Sequence, residues 1–298
     1  MQYVVFGVNG YIGSYIFRQL EKENLNVLGT SRKSCDNSRI VYFDILKDHI
    51  DNVITKINDE DKIAIICIAE TNIDRCYENY NQAYELNVIK TKELIQELLE
   101  KGFRIIYFSS DCVFDGISGG YTEDCLTNAM NKYGLMKVEM ERYLLMHEPE
   151  TCILRIPKVV GIHQAKQNVL TEWAEQIANG YIRCIRGNRM SFVYIDDIYR
   201  ACLLAASRKM HGIYNVAGDI AYSRAELARK FFDKLGITEV EIRECDLDEF
   251  SFKDYRPLNL GMSNLKFKAE TKYQFTDMDF VLDKYIEDVM QPGILFAR

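Results

Sequence analysis

The sequence is short of backbone breakers: its 298 residues hold only 4 prolines and 17 glycines, so long stretches are free to run as helix or strand. Paired cysteines are missing too. The nine cysteines are an odd number, scattered singly, with no Cys-x-x-Cys pair and no Cys/His cluster at zinc spacing, which argues against a disulfide framework or a metal site and for a reduced chain. The N-terminus shows no basic stretch leading into an apolar run and a small-residue cleavage site. The longest apolar run, IAIICIA at 63 to 69, is far below the ~20 residues of a membrane span. A cytoplasmic protein without a membrane segment is expected. Excess positive charge is absent: a formal charge of −7 gives no general field to gather nucleic acid, so any anionic ligand must be held by local cations. There is no internal repeat and no low-complexity segment. What is present is core material, 48% hydrophobic and 12% aromatic, enough for one large domain or two ordinary ones.

Short β-branched stretches alternate with amphipathic ones. Residues 3 to 6, NLNVLGT at 24 to 30, RIVYF at 39 to 43, KIAIICIA at 62 to 69, FRIIYFSS at 103 to 110 and TCILRIP at 151 to 157 read as strands. Residues 11 to 21, 81 to 101 and 131 to 147 read as helices, the second with Ala83, Leu86, Ile89, Leu94, Leu98 and Leu99 on or near one face. Such alternation predicts an α/β fold, a doubly wound parallel sheet whose ligands lie beyond the carboxyl ends of the strands. Past residue 158 the pattern becomes irregular, with helices near 168 to 179 and 223 to 235. The expected division is a dinucleotide-binding domain over 1–158 with returns at about 190–218, and a smaller interleaved substrate lobe over 159–189 and 219–298.

The functional residues should follow the strands. GVNGYIG places Gly7, Gly10 and Gly13, with Tyr11 and Ile12 between, where the first strand turns into the first helix. Glycine there permits unusual backbone angles and close approach to a pyrophosphate, and leaves helix N-terminal amides free to bind it. The second strand ends in TSRKS, with no acid to repel a 2′-phosphate; Arg32, with Ser31 and Lys33 beside it, suits NADP(H), the alternative being a solvated cation pair. Asp44 has two readings, an acceptor for the adenine amino group or a helix cap. Ala69 closes the KIAIICIA strand on the same side. Tyr133 and Lys137 stand four apart on one helix face, where an ammonium should lower the phenol's pKa and make it a usable acid. SSDCVFDG, at 109 to 116, ends a strand where substrate should lie, and Asn87 stands in the long helix before it.

In these motifs the chain resembles the extended short-chain dehydrogenase/reductases, with an NAD(P)-binding Rossmann fold, and among them the dTDP-4-dehydrorhamnose reductase-like sugar-nucleotide enzymes. The resemblance runs in order through GVNGYIG, ELNVIKTKEL, SSDCVFDG, YGLMKVEME, ILRIPKVVG, FVYIDDI, GIYNVAG and RPLNLGMSNLK. It implies an NADP(H)-dependent reductase of a nucleotide-activated 4-keto sugar, with NAD(H) as the alternative cofactor, a nucleotide-diphosphate sugar as partner and a homodimer left open. Ser110 would bind the substrate oxygen, Tyr133 donate the proton, Lys137 assist it and touch the cofactor, and Asn87 complete a proton relay. Asp111 and Cys112 would meet substrate, and Asn168, Arg189 and Arg256 would lie near the base and diphosphate.

Two departures stand out. Cys112 replaces a tyrosine common in such reductases, and Lys158 an aromatic. Cys112 has two readings, an acid/base like that of epimerase/reductases, with His163 as partner, or a small core residue. Epimerisation thus remains an alternative. A further alternative, from another class, is a non-catalytic NADP-binding regulatory subunit like the β subunit of methionine adenosyltransferase. Asp196 and Asp197 open a helix and are expected to be structural.

Overall fold

The computed structural model describes residues 1–34, 36–57, 60–162 and 168–289. Its strands are β1 Gln2–Phe6, β2 Val27–Ser31, β3 Ile40–Tyr42, β4 Lys62–Ile66, β5 Phe103–Ser110, β6 Cys152–Ile156, β7 Lys158–Val160, β8 Tyr181–Ile185, β9 Arg189–Tyr194, β10 Gly212–Asn215, β11 Ala221–Tyr222, β12 Glu241–Cys245 and β13 Asn259–Leu260. The helices are α1 Tyr11–Lys22, α2 Asp51–Ile54, α3 Ile73–Glu78, α4 Tyr80–Tyr84, α5 Thr91–Glu100, α6 Lys132–His147, α7 Val169–Gln176, α8 Ile195–Arg208, α9 Arg224–Leu235, α10 Leu265–Thr271 and α11 Met278–Val289.

Seven strands form one sheet in the order β10-β6-β5-β4-β1-β2-β3, with every pairing parallel. This is the Rossmann-like α/β architecture. Both faces are covered, which is why its strands read as continuous apolar runs. Alternate residues go to opposite layers: Tyr3, Val5, Ile63 and Ile65 pack with α1 and α8, and Val4, Phe6, Ala64 and Ile66 pack with α5 and α6. After β1 the chain fills one side of the sheet through β2 and β3, then crosses back to β4 on the other. The crevice between the ends of β1 and β4 is therefore the switch point where ligands bind in such sheets.

Beyond β6 the chain leaves this sheet. β7 pairs with the later half of β9, whose earlier half lies between β11 and β13, and β8 pairs with β12. Between them α8 packs on α1 and β10 returns to the edge of the main sheet. Asp196 accepts from the Tyr15 hydroxyl at 2.9 Å. Asp197, buried, accepts from Tyr273 and Thr276, so both carboxylates tie elements together.

The helix expected over 81 to 101 is not continuous. α4 and α5 are joined by a π-helical turn, Glu85–Lys90, in which the Thr91 hydroxyl donates to the Leu86 carbonyl at 2.8 Å. The wider turn rotates the buried face by one position. Val88 and Ile95 are buried, whereas Leu86, Ile89 and Leu99 are only half-buried.

Among the described residues no helix is long and apolar enough to cross a membrane, and no cluster of His, Cys, Asp and Glu has the makings of a metal site.

Candidate active site

A cleft of about 570 Å³ opens at the switch point. The ends of four parallel strands supply its walls: Gly10, Tyr11, Ile12 and Gly13 after β1, Cys67, Ala69 and Thr71 after β4, Ser110, Asp111 and Cys112 after β5, and Ile156 to Val159 after β6. Tyr133 comes from α6, and the far wall is built by Asn168, Asn188, Arg224 and Arg256.

The turn after β1 has the form a pyrophosphate requires. Gly7 sits at φ +96°, in the region only glycine adopts freely. A Cβ on Gly13 would lie 2.3 Å from the Gly7 carbonyl oxygen, so α1 can approach the turn only without a side chain there. At Gly10, by contrast, a Cβ would meet nothing nearer than 3.4 Å. Gly10 is the N-cap of α1 and supplies no side-chain cap, which leaves the first-turn amides of a twelve-residue helix facing the cleft. The residues present thus fit a dinucleotide. Thr30 supports the turn by accepting from the Gly7 amide at 3.2 Å. Ser31 is occupied locally, its hydroxyl donating to the Lys33 carbonyl at 2.7 Å, while Arg32 and Lys33 are exposed and make no ion pair with any described residue. Asp44 caps no helix: it accepts from the Leu46 amide at 3.2 Å and its own amide donates to Asp48 at 2.7 Å, closing a turn ahead of α2, whose N-cap is Ile50.

At the reacting end, Gly134 is what lets α6 come close. A Cβ there would sit 2.1 Å from the Cys112 carbonyl oxygen, so the glycine after Tyr133 brings the phenol against the turn after β5. The side chain of Asn131 caps this helix end, accepting from the Gly134 amide at 2.8 Å. The Asp254 carboxylate accepts from the Lys132 amide at 2.7 Å, so the segment between β12 and β13 fixes the same turn. The Ser110 hydroxyl donates to Asp111 at 2.9 Å and accepts from the Cys112 amide at 3.2 Å.

One electrostatic expectation is reversed. Burial pushes the Tyr133 phenol up, reinforced by Cys112 and Asp111; hydrogen bonding with Ser110 opposes but does not win. Lys137 does not overcome this, because its amine is turned onto other partners, donating to the Phe108 carbonyl at 2.8 Å and the Tyr107 hydroxyl at 3.0 Å. Burial pushes Lys137 itself down to about 8, against the pull of Glu141. Asn87 is likewise engaged elsewhere. It accepts from the Glu70 amide and donates to the Glu70 carbonyl, both at 2.8 Å, and so holds the loop after β4 without touching Lys137. Cys112 is kept protonated by burial, with Asp111 next in effect, which disfavours its use as a base. His163 lies outside the described residues.

A residue outside the Tyr133–Lys137 pair continues the same helix face. Glu141 stands one turn beyond Lys137 and two beyond Tyr133 in YGLMKVEME. Fully buried, it receives two bonds at 2.8 Å from the Arg155 guanidinium of β6 and one at 2.5 Å from the Ser109 hydroxyl. This pair pins α6 to the sheet; removing one partner would leave an uncompensated buried charge.

The second lobe corrects another expectation. Arg189 is not brought to the cleft: its guanidinium pairs at 3.1 Å with Glu226 and stays half exposed. Arg224 lines the cleft instead. Arg256 does line it, tethered to Asp74 at 2.9 Å. Asn168 lines it while capping α7, accepting from the Leu170 amide at 2.9 Å and donating to the Gly161 carbonyl at 3.1 Å.

Asp111 carries a measurable consequence. Burial raises its carboxyl from 3.8 to about 6 against its hydrogen bonds. Between those values the folded protein holds a proton that the unfolded chain lacks, so stability declines as pH rises through this window and the loss is complete above it. Asp111→Asn is therefore expected to stabilise the protein near neutral pH, by about 3 kcal/mol, and to give no gain below the window. Thermal melts across pH check this; a gain independent of pH would contradict it.

The chain matches the family model described as RmlD substrate binding domain over residues 1–291. Among curated proteins it is similar to methionine adenosyltransferase 2 subunit beta of Xenopus tropicalis, 26% identical over 251 residues, covering 80% of this chain and 74% of that one. It is also similar to the dTDP-4-dehydrorhamnose reductase of Mycobacterium tuberculosis (strain CDC 1551 / Oshkosh), 24% identical over 253 residues, covering 83% and 80%. Among solved structures, a dTDP-4-dehydrorhamnose reductase from Bacillus anthracis str. Ames in complex with NADP superimposes with a TM-score of 0.83 at 20% identity, over 97% of this chain and 100% of that one.

Proposed function

The chain belongs to the RmlD substrate binding domain family, and from that premise we propose that it is an NADP(H)-dependent reductase of a nucleotide-activated 4-keto sugar. The observation that carries the reading is the meeting of Ser110 and Tyr133, at the end of β5 and the start of α6, in the cleft that the glycine turn also lines. In this reading Gly7, Gly10, Tyr11, Ile12 and Gly13 would hold a pyrophosphate, Ser31 and Arg32 the adenosine end, and Ala69, Tyr133 and Lys137 the nicotinamide end. A bound reduced dinucleotide supplies the hydride. Ser110 holds the carbonyl oxygen of the substrate by its hydroxyl. Tyr133 gives that oxygen its phenolic proton, and its raised pKa keeps the acid form available at working pH. Lys137 stabilises the phenolate left behind, and Glu141 holds the lysine's helix in place.

The bound NADP of the Bacillus anthracis structure and the cations of TSRKS, which form no ion pair with any described residue, support NADP(H) over NAD(H). The test is oxidation of NADPH in the presence of a dTDP-4-keto-6-deoxy sugar, with turnover expected. NADPH should bind more tightly than NADH, and Arg32→Ala should remove about 1.5 to 3 kcal/mol of that preference, the range for a hydrogen bond to a charged group. Equal affinities for the two cofactors in the unmutated protein, by fluorescence titration, would overturn the preference. The likeness to methionine adenosyltransferase 2 subunit beta favours a second reading, a dinucleotide-binding regulatory subunit. It would be adopted if no keto-sugar nucleotide is turned over while the protein binds a synthetase tightly.

A further inference from the structure

Lys158 begins β7, one residue after the proline that ends ILRIP, and lines the cleft with Ser110, Asp111 and Cys112. Its side chain is accessible from the cleft but surrounded by protein, and it forms no hydrogen bond or ion pair with any described residue. Burial, followed by the charge of Arg224, makes its ammonium costly, while Glu172 and Asp111 favour it too weakly to restore an ordinary pKa. Arg224, on the far wall, is only half used. Its terminal nitrogen meets Glu172 at 3.1 Å, yet its Nε is buried with no partner among the described residues. Asp111 does not neutralise Lys158. It lies beyond ion-pair distance, and its own oxygens are taken up by Ser110 and the turn after β5.

Two cations that repel each other across the cleft, one of them with an orphaned donor, are a poor arrangement for stability alone. They suit an anion that enters with the ligand. Lys158 stands near Asp111 and Cys112, which puts that anion at the reacting end of the cleft, next to the sugar. Resting on the sugar-nucleotide reading above, we propose that Lys158 and Arg224 read a carboxylate on the sugar itself, so that the substrate class is a nucleotide-activated acidic sugar.

The experiment is isothermal titration of the NADP-loaded protein with three ligands in both uridine and thymidine series: the nucleoside diphosphate, its glucose ester and its glucuronic acid ester. In the preferred series, the glucuronic acid ester is expected to bind at least about tenfold more tightly than the glucose ester, as a charge-assisted contact allows. Lys158→Met should erase that excess and leave the other two affinities within about twofold, and Lys158→Arg should restore part of it. Thermal melts confirm that the variants are folded. Equal binding of the two esters by the unmutated protein overturns the inference and leaves the sugar-nucleotide reading standing. Loss of all three affinities together in Lys158→Met also overturns it, placing the ammonium on the diphosphate. Failure of every ligand in both series removes the sugar-nucleotide reading and this inference with it.

Discussion

Tyr133→Phe is expected to lower turnover of a keto-sugar nucleotide by about 10² to 10⁴, the share general acid catalysis usually supplies, while cofactor affinity stays nearly unchanged. The substitution removes one oxygen and keeps the ring that packs in the layer shared by α5 and α6, so little stability should be lost. The pH profile discriminates further. With the phenol pushed up by burial, Tyr133 remains protonated through the working range and contributes no limb near neutrality. Lys137, pushed down to about 8, loses its positive charge above that pH and with it the stabilisation of the phenolate. Reduction should therefore be flat to about pH 8 and fall beyond it. In Lys137→Met the rate should be low throughout and the limb gone. Unchanged activity in Tyr133→Phe, measured by steady-state NADPH oxidation, would place the proton donor elsewhere, with Ser110 and Cys112 as the remaining hydroxyl and thiol at that end of the cleft.

The parts of this site that lay within one element were legible in the sequence; those that depended on two elements were not. GVNGYIG announced its strand, turn and helix because each glycine answers a local need. The four-residue spacing of Tyr133 and Lys137 fixed their common face. It did not fix where the amine points, since Tyr107 and the Phe108 carbonyl come from β5 and compete for it. The same helix arithmetic carried one step further would have found Glu141. Arg189 is drawn away from the cleft, and Arg224, which no motif singled out, lines it, through a capping box. Ser223 and Glu226 cap α9, and the capping glutamate, left on the surface, draws Arg189 outward. Arg224, at the first helical position, is left to face the cleft. The π-helical turn at Glu85–Lys90 was hidden for a similar reason: Asn87 within it pairs with the Glu70 backbone, a contact across 17 residues.

The glycine turn gives the second large effect, and it separates ligand space from packing space. At Gly10 the backbone is extended, φ −71° and ψ 166°, a region valine favours, and a Cβ would find only ordinary contacts. Gly10→Val should therefore fold with a melting temperature close to the original. Its two methyl groups would stand where the first-turn amides of α1 meet a phosphate, so dinucleotide affinity should fall by roughly a hundredfold or more, the loss of two or more charge-assisted bonds. Gly13→Val should fail in the opposite way. Its Cβ would be driven to 2.3 Å from a backbone oxygen of Gly7, and with no flexible side chain to yield, α1 must move off the sheet and the protein should lose stability outright. Melting curves and fluorescence titration of NADPH, run on both variants, check the pair. Normal cofactor binding by a folded Gly10→Val would show that the turn holds no pyrophosphate. An equal loss of stability in the two variants would mean that Gly10 is spared a side chain for packing, and the space beside it would no longer argue for a ligand.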